Sequence, residues 1–331
     1  MPNYLDHYRD KRVLVTGGAG AIGSNLCRAL ADLGARVIVL DDLSSGQRWA
    51  VPECPQVTFV QGSVLDEEAL RRVFFAEPQM VYHLAALFAN QNSIDHPETD
   101  LAVNGLGTLK VLQYSRLAHV ERAVYASSGC SVYGSKAPLP LTEDFTSIDL
   151  DTPYQITKLL GELYCNFFKN YYDMRVVRAR FFNSYGPGEV PGRYRNVIPN
   201  FTYWAMTGQP LPITGTGEET RDFTYVGDIV DGLLRAGYED GAVGEAMNLA
   251  SGQETRIIDL AHWINELTEN PAGIRFTERR KWDTHSRRCA SVAKAGSLMG
   301  YEPRTKFREG LENTVRWFRD NWECIQANAR F

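Results

Sequence analysis

The segment TPYQITK places Tyr154 and Lys158 four residues apart. On a helix that spacing puts both side chains on one face, within reach of a common point. A phenol ordinarily titrates at about 10, too high for a base at neutral pH. A neighbouring ammonium favours its ionised form. The pair reads as a proton-transfer couple, with Tyr154 the acid/base and Lys158 its electrostatic partner. A second polar cluster lies upstream in YASSGCSVYGSK, residues 125–136, where Ser127, Ser128, Cys130 and Ser131 follow an apolar run. Here two readings stay open. Either Cys130 is a nucleophile or general acid/base, which requires a nearby base, or it is a small buried apolar residue. In the second case the serine hydroxyls do the polar work. His83, on an earlier strand pattern, reads as structural.

What these groups act on is suggested by TGGAGAIG. Its glycines at 17, 20 and 23 follow an apolar run at 13–15 and precede a helical pattern (Ile22, Leu26, Leu30, Leu33) that Gly34 stops. At a strand-to-helix turn each glycine has a use: a tight bend, close approach to a diphosphate, close helix packing. The helix start then offers amides and a partial positive charge to phosphates. The spacing is G-x-x-G-x-x-G, not G-x-G-x-x-G. Asp41, ending the next strand pattern, is placed to accept from ribose hydroxyls. A carboxylate there repels a 2′-phosphate, and no arginine follows until Arg48. The expected cofactor is therefore NAD, not NADP, and its positive nicotinamide ring would further favour a Tyr154 phenolate.

Positioning these groups takes alternating strands and helices. VTFVQGSV, MVYHLAA, RAVYASS and VVRARFFNSYG are further strand patterns separated by helical stretches. That alternation implies an α/β fold, a Rossmann-type doubly wound parallel sheet. Residues 1–180 read as the NAD-binding domain. From Phe181 the texture changes to Gly- and Pro-rich loops with short helices, so residues 181–331 read as a smaller α/β C-terminal substrate lobe. A segment near 222–250 is expected to return to the first domain. Close to the end, Leu311, Val315 and Phe318 share one side of a helix that packs this lobe shut.

The 331-residue chain carries a net charge of −5, so it has no basic footprint for nucleic acid. Its six cysteines are scattered without a C-x-x-C pair, which fits a reducing compartment and gives neither a metal site nor a disulfide framework. No apolar run is long enough to span a membrane, and the N-terminal stretch lacks an apolar signal core. A cytoplasmic protein binding neither membrane nor metal is expected.

Taken together, TGGAGAIG, HLAA at 83–86, SSGCSVYG at 127–134, YQITK at 154–158, RARFFNSYGPG at 178–188 and RDFTYVGDI at 221–229 resemble the extended short-chain dehydrogenase/reductases. Within them the chain is similar to the NAD-dependent nucleotide-sugar epimerases and dehydratases, notably UDP-hexose and UDP-uronate 4-epimerases. GYEPRTKFREGLENTVRWFRDN resembles that group's closing segment, so the likeness spans nearly the whole chain. It implies a tightly held NAD that takes a hydride from a sugar carbon, usually C4, and returns it. Tyr154 would remove the hydroxyl proton and Lys158 would orient the nicotinamide ribose. Gly17, Gly20, Ala21, Ile22 and Gly23 would cradle the dinucleotide. Asp41, Asp42, Ser45 and Gly46 would border the adenosine ribose, and Ser63 and Val64 would flank the adenine. Leu84, Ala85, Ala86, Asn104, Ser127 and Phe181 would lie against the cofactor. On the substrate side the likeness implies Asn183 at the diphosphate or sugar and a loop 196–201, with Asn196 and Val197, near the base. Arg221 and Arg280 would meet the diphosphate and Asp283 the ribose. Arg287 and Arg288 stay unassigned, and Arg193 or Arg195 is a candidate to read a sugar carboxylate.

The chain also departs from the family pattern. Ser63 stands where relatives commonly carry an aspartate for the adenine amine. Gly129 stands where the catalytic Ser or Thr falls, which leaves Ser128 and Ser131 to supply that hydroxyl. Cys130 and Ser131 replace the Asp-Glu pair of the sugar 4,6-dehydratases, and decarboxylating relatives place a glutamate at 131. Without a carboxylic acid there, elimination and decarboxylation lose their proton manager. Epimerisation of a UDP-sugar at C4 is the expected reaction. A dehydratase or other lyase using Cys130 as acid/base is the alternative, and a non-catalytic nucleotide-sugar-binding protein is the third reading. An intact Tyr154/Lys158 pair speaks against the last. Helices over about 100–117 and 154–172 carry apolar residues on more than one side (Val103, Leu106, Val111, Leu112; Leu159, Leu163, Phe167, Phe168). In the family such helices pair across a two-fold axis into a four-helix bundle, so a homodimer is expected.

Overall fold

The computed structural model describes residues 4–279 and 286–331. Its centre is a parallel sheet of seven strands: β1 (Arg12–Thr16), β2 (Arg36–Asp41), β3 (Val57–Gln61), β4 (Met80–His83), β5 (Arg122–Ser128), β6 (Val176–Phe181) and β7 (Ala246–Leu249). Their spatial order is 7-6-5-4-1-2-3, so the winding direction reverses between β1 and β4. That reversal opens a crevice at the carboxyl ends of the strands, where sheets of this kind take ligands. Register brings Thr16, His83 and Tyr125 level across β1, β4 and β5.

The longer helices are α1 (Ala21–Asp32), α2 (Glu67–Phe75), α3 (Thr108–Leu117), α4 (Pro153–Tyr172), α5 (Val197–Met206), α6 (Val226–Tyr238), α7 (Ile257–Thr268), α8 (Ala293–Met299) and α9 (Phe307–Asp320). Helices on both faces explain strands that are apolar on both sides. Val13 and Val15 pack into one layer with Leu26 and Leu30 of α1 and Leu233 of α6. Leu14, between them, faces the other layer with Leu70 of α2, Val111 of α3 and Phe168 of α4.

The chain passes into a second half and back. β7, α6 and α8 belong to the sheet's core through Met247, Leu249, Ile229 and Met299. A separate core of Ile198, Phe201, Leu211, Ile213, Leu260, Ile264 and Leu311 holds α5, α7 and α9 together. Val315 and Phe318 are buried on the same side of α9 as Leu311. Among the described residues, no helix is long and apolar enough to cross a membrane.

Helix α4 carries Tyr154 and Lys158. Thr152 caps it, accepting from the Gln155 amide, and Pro153 occupies its first turn. It stops where Asp173 takes a left-handed conformation at φ 54°.

Candidate active site

A cavity of about 720 Å³ spans the crevice and the second half. At one end it is shaped by main chain. A Cβ on Gly17 would sit 2.6 Å from the Ala85 amide nitrogen, and one on Gly23 would sit 2.2 Å from the Gly17 carbonyl oxygen. Only glycine lets the turn, the start of α1 and the end of β4 come so close. Gly20 caps α1 without a side-chain hydrogen bond, leaving the helix's first amides to an anion. Asp41 is nearly buried and held by two amides, Ala19 to Oδ2 and Leu43 to Oδ1, each at 2.9 Å. Burial raises its carboxyl above the usual range, against the pull of those amides. Ala21, Ile22, Asp42, Ser45, Gly46, Ser63, Val64, Leu84, Ala85, Ala86, Ser127 and Phe181 line the same cavity. This set fits a dinucleotide: an uncapped helix start for the diphosphate, a fixed carboxylate for a ribose, apolar walls for the bases.

Asn104 does not line that cavity. It is buried behind the wall, where Oδ1 accepts from the Leu87 amide at 2.8 Å and Nδ2 donates to Asp100 at 2.7 Å. Its short amide is spent bracing the segment after β4, so its reach to a cofactor is indirect.

Tyr154 and Lys158 lie one turn apart on α4, both buried and both lining the cavity. Lys158 Nζ donates to the Ala126 carbonyl at 2.9 Å and lies 5.6 Å from the centre of the Tyr154 ring. Burial pushes this lysine down to about 8, opposed by the negative charge of Asp100. Asp100 is fully buried beneath it, tied to Thr157 Oγ1 at 2.7 Å. The phenol does not follow the expectation that Lys158 lowers it. Burial, then Asp100 and Cys130, push Tyr154 well above its ordinary value, and only an interaction with the Ser128 hydroxyl acts the other way. The ammonium is engaged by a carbonyl, and desolvation outweighs it.

The stretch after β5 forms a short helical turn, Gly129–Val132. A Cβ on Gly129 would lie 2.0 Å from the Phe182 ring, so the aromatic neighbour leaves no room for a side chain here. Ser131 Oγ donates to Ser128 Oγ at 2.9 Å, and Ser128 in turn meets the Tyr154 phenol. A file of hydroxyls thus ends on the Tyr154 phenol. Cys130 lines the cavity while packing against an apolar cluster that includes Val132, Tyr133 and Phe182. His83 gives it no base: its ring is held between Thr16 and Thr108 hydroxyls at 2.7 and 3.0 Å, and burial lowers it to about 3. Ser127 donates to Glu162 at 2.5 Å, and Glu162 takes a bidentate ion pair from Arg180, both contacts at 2.8 Å. That buried pair ties α4 to β6 and so fixes the helix that carries Tyr154.

Side chains shape the other end of the cavity. Asn183, Asn196, Val197 and Arg221 line it, as do Arg193, Arg195, Arg279 and Arg288. The stretch 196–201 is not a loop: Asn196 is the N-cap of α5, and the rest is its first turn. Its apolar Val-Ile-Pro run packs Ile198 and Phe201 into the second core. Arg280 and Asp283 lie outside the described residues. Arg193 is paired with Asp95 at 3.0 Å, and Arg195 donates to the Ser45 carbonyl. Arg287 is bound to Glu254 off the cavity.

Residues 13–250 match the NAD dependent epimerase/dehydratase family. The chain belongs to that family. A UDP-glucose 4-epimerase of Mycolicibacterium smegmatis is 34% identical, covering 93% of this chain and 99% of its own length. An epimerase structure from the thermophilic methanogen Methanothermobacter thermautotrophicus superposes with a TM-score of 0.98 at 59% identity, covering 99% of this chain and 98% of its own. A Bordetella bronchiseptica enzyme solved with NAD+ and UDP superposes with a TM-score of 0.86 at 35% identity, covering 98% and 96%. This chain is thus an NAD-dependent enzyme of the epimerase type, and NAD is its cofactor.

Sequence reading of this epimerase misses several groups that the fold brings to the site. Asp100 and Glu162 sit in helical runs that look like ordinary surface charge. Glu189 is 5% exposed in the cavity wall and is pushed up to about 7 by burial. Its Oε1 accepts from Asn196 Nδ2 at 3.0 Å. The sequence signal is a single acid inside the Gly/Pro run GPGEVPG, between Asn183 and Asn196.

Proposed function

We propose that this enzyme epimerises a UDP-linked sugar at C4 by transient oxidation to a keto sugar and reduction from the opposite face. The observation that carries the reading is the hydroxyl file Ser131–Ser128–Tyr154 beside Lys158, placed between the main-chain end and the arginine-rich end of one cavity. NAD, when bound, supplies the hydride acceptor and donor, together with a positive ring charge that favours the phenolate. Tyr154 takes the proton of the sugar hydroxyl and later returns it to the oxygen. Ser128 holds the phenol in place and supplies the hydrogen bond that Gly129 cannot. Lys158, anchored on Ala126, keeps a positive charge against the phenol's face. The arginines of the second half suit a diphosphate by their planar forks. A relative solved with NAD+ and UDP, and another named UDP-glucose 4-epimerase, support the nucleotide and the position.

The test is incubation of the pure protein with UDP-, GDP-, CDP- and dTDP-sugars, reading mass and C4 configuration by NMR. An unchanged mass with inverted C4 on a UDP-sugar is expected. Loss of water or carbon dioxide would favour the lyase reading, for which positions 130 and 131 supply no carboxylic acid.

The homodimer is part of the same proposal. Leu106, Ile156, Leu163, Phe167 and Tyr171 are exposed on and near α3 and α4. A copy of the same face, packed as a four-helix bundle, would cover them. A monomeric mass by light scattering at micromolar concentration is the result that rejects it.

A further inference from the structure

Residues 192–196 run along the cavity between the two halves. Gly192 is clamped by Asn200, whose Oδ1 accepts from its N–H at 2.9 Å and whose Nδ2 donates to its carbonyl at 3.0 Å. Arg193 and Tyr194 both hold Asp95, at 3.0 and 2.8 Å. Arg195 instead donates from Nη2 to the carbonyl of Ser45, in the loop that follows β2. Asn196 then opens α5. An arginine from the second half is thereby fastened to the loop beside Asp41, although 150 positions of chain separate it from Ser45.

The surroundings of that guanidinium locate it further. Its charge bears on two carboxylates, Asp41 and Glu189. Asp41 ends β2, where the adenosine ribose belongs. Glu189 follows Gly188, whose backbone packs on the first turn of α1, with Ala21 O only 3.1 Å from an added Cβ. Arg195 therefore lines the same cavity as Asp41 and the start of α1, fastened to the loop that follows β2. Among the described residues its hydrogen bonding is confined to Ser45, and a guanidinium carries five donors in a planar fork.

We propose that Arg195 is a direct ligand of the dinucleotide, gripping the phosphate on its adenosine side from the second half of the molecule. A guanidinium donating to a phosphate oxygen makes a charge-assisted hydrogen bond, the strong kind. It also offsets the repulsion that Asp41 exerts on an anion. Arg195 adjoins Asn196 and Val197, which line the substrate end. Whatever orders the start of α5 orders this grip, so nucleotide-sugar binding and cofactor retention are linked and reciprocal.

The experiment follows release of bound NAD from the purified full chain into a charcoal trap. Wild type is compared with Arg195→Gln, Arg195→Lys and Arg287→Gln, the last an arginine paired with Glu254 away from the cavity. Release at least about tenfold faster is expected for Arg195→Gln, the effect of losing one hydrogen bond to a charged group. Arg195→Lys keeps the charge without the fork and falls between, while Arg287→Gln releases like wild type. Added UDP slows release from wild type but not from Arg195→Gln. Thermal melting checks that each variant is folded, and Arg195→Lys carries the comparison should the Gln variant not fold. Release from the Gln variant within about twofold of wild type overturns the proposal, and equal slowing by UDP overturns the linkage. The assignment rests on the cofactor reading. A wild-type chain that takes up no NAD would sink both, whereas NAD held equally by wild type and variant sinks this one alone.

Discussion

The two ends of the cavity are made of different material. At the cofactor end, main chain meets main chain at Gly17 and Gly23, closer than any side chain permits, and α1 presents bare amides. At the other end, Asn183, Asn196, Arg221 and Arg288 come from separate segments and line the wall with their side chains. A main-chain cradle is stiff and fails as a whole when one Cβ is added. A side-chain site is adjustable, losing one contact at a time, which is how one scaffold can suit different sugars. Tyr154 and Lys158 on α4 line the cavity where the two constructions join.

Substitutions at the two ends, and at their junction, should behave differently. The largest effect belongs to the junction: Tyr154→Phe should lower turnover by about 10²- to 10⁴-fold, the usual worth of a positioned acid/base, while NAD stays bound. Retention of most activity in a UDP-sugar assay would remove the phenol from the chemistry. Next comes Gly23→Ala, whose Cβ would lie 2.2 Å from Gly17 O. It should abolish NAD retention and cost about 1–3 kcal/mol in stability through overpacking. Arg221→Ala, at the adjustable end, should raise KM and leave NAD in place. If both variants lose NAD alike, the distinction between the ends fails.

Gly129→Ser restores the family hydroxyl against the Phe182 ring, 2.0 Å from the new Cβ. Its stability should drop by about 1–3 kcal/mol in a denaturant titration, with part regained when Phe182→Ala is added. The pH dependence is smaller and has a definite sign. Burial depresses Lys158 to about 8, so its charge is present below that pH and lost above it, and activity should decline as pH rises through about 8. Asp100 raises Lys158, so Asp100→Asn should move the decline to lower pH, and an unmoved limb would separate Asp100 from the ammonium. Smallest of all is Cys130→Ser, expected to keep turnover within about twofold, since a thiol packed among apolar side chains acts as a small hydrophobe. A large loss there would return Cys130 to acid/base duty.

Much of the site was legible where function depends on neighbours in sequence. The glycines at 17, 20 and 23, Asp41 one strand later, and the four-residue spacing of Tyr154 and Lys158 are local patterns, and the fold sets all of them around one cavity. Asn104 looked like a cofactor contact and became a brace, because its short amide is consumed by Leu87 and Asp100. The run 196–201 looked like a loop and became the first turn of α5, because Ile198 and Phe201 found a second core to fill. The inference that no arginine follows Asp41 before Arg48 holds along the chain but not in space, since Arg195 reaches Ser45 from the other half.

Strand period, glycine placement and helical spacing act over a few residues, so the parallel winding, the glycine turn and the shared helix of Tyr154 and Lys158 could be read along the chain. Burial and hydrogen-bond partners came instead from segments far apart in the chain. Burial moved Tyr154, Lys158 and Glu189 away from their ordinary values, and the ring of Phe182 dictated why position 129 has no side chain. Desolvation and contact depend on what surrounds a group in three dimensions, and no spacing along the chain records it.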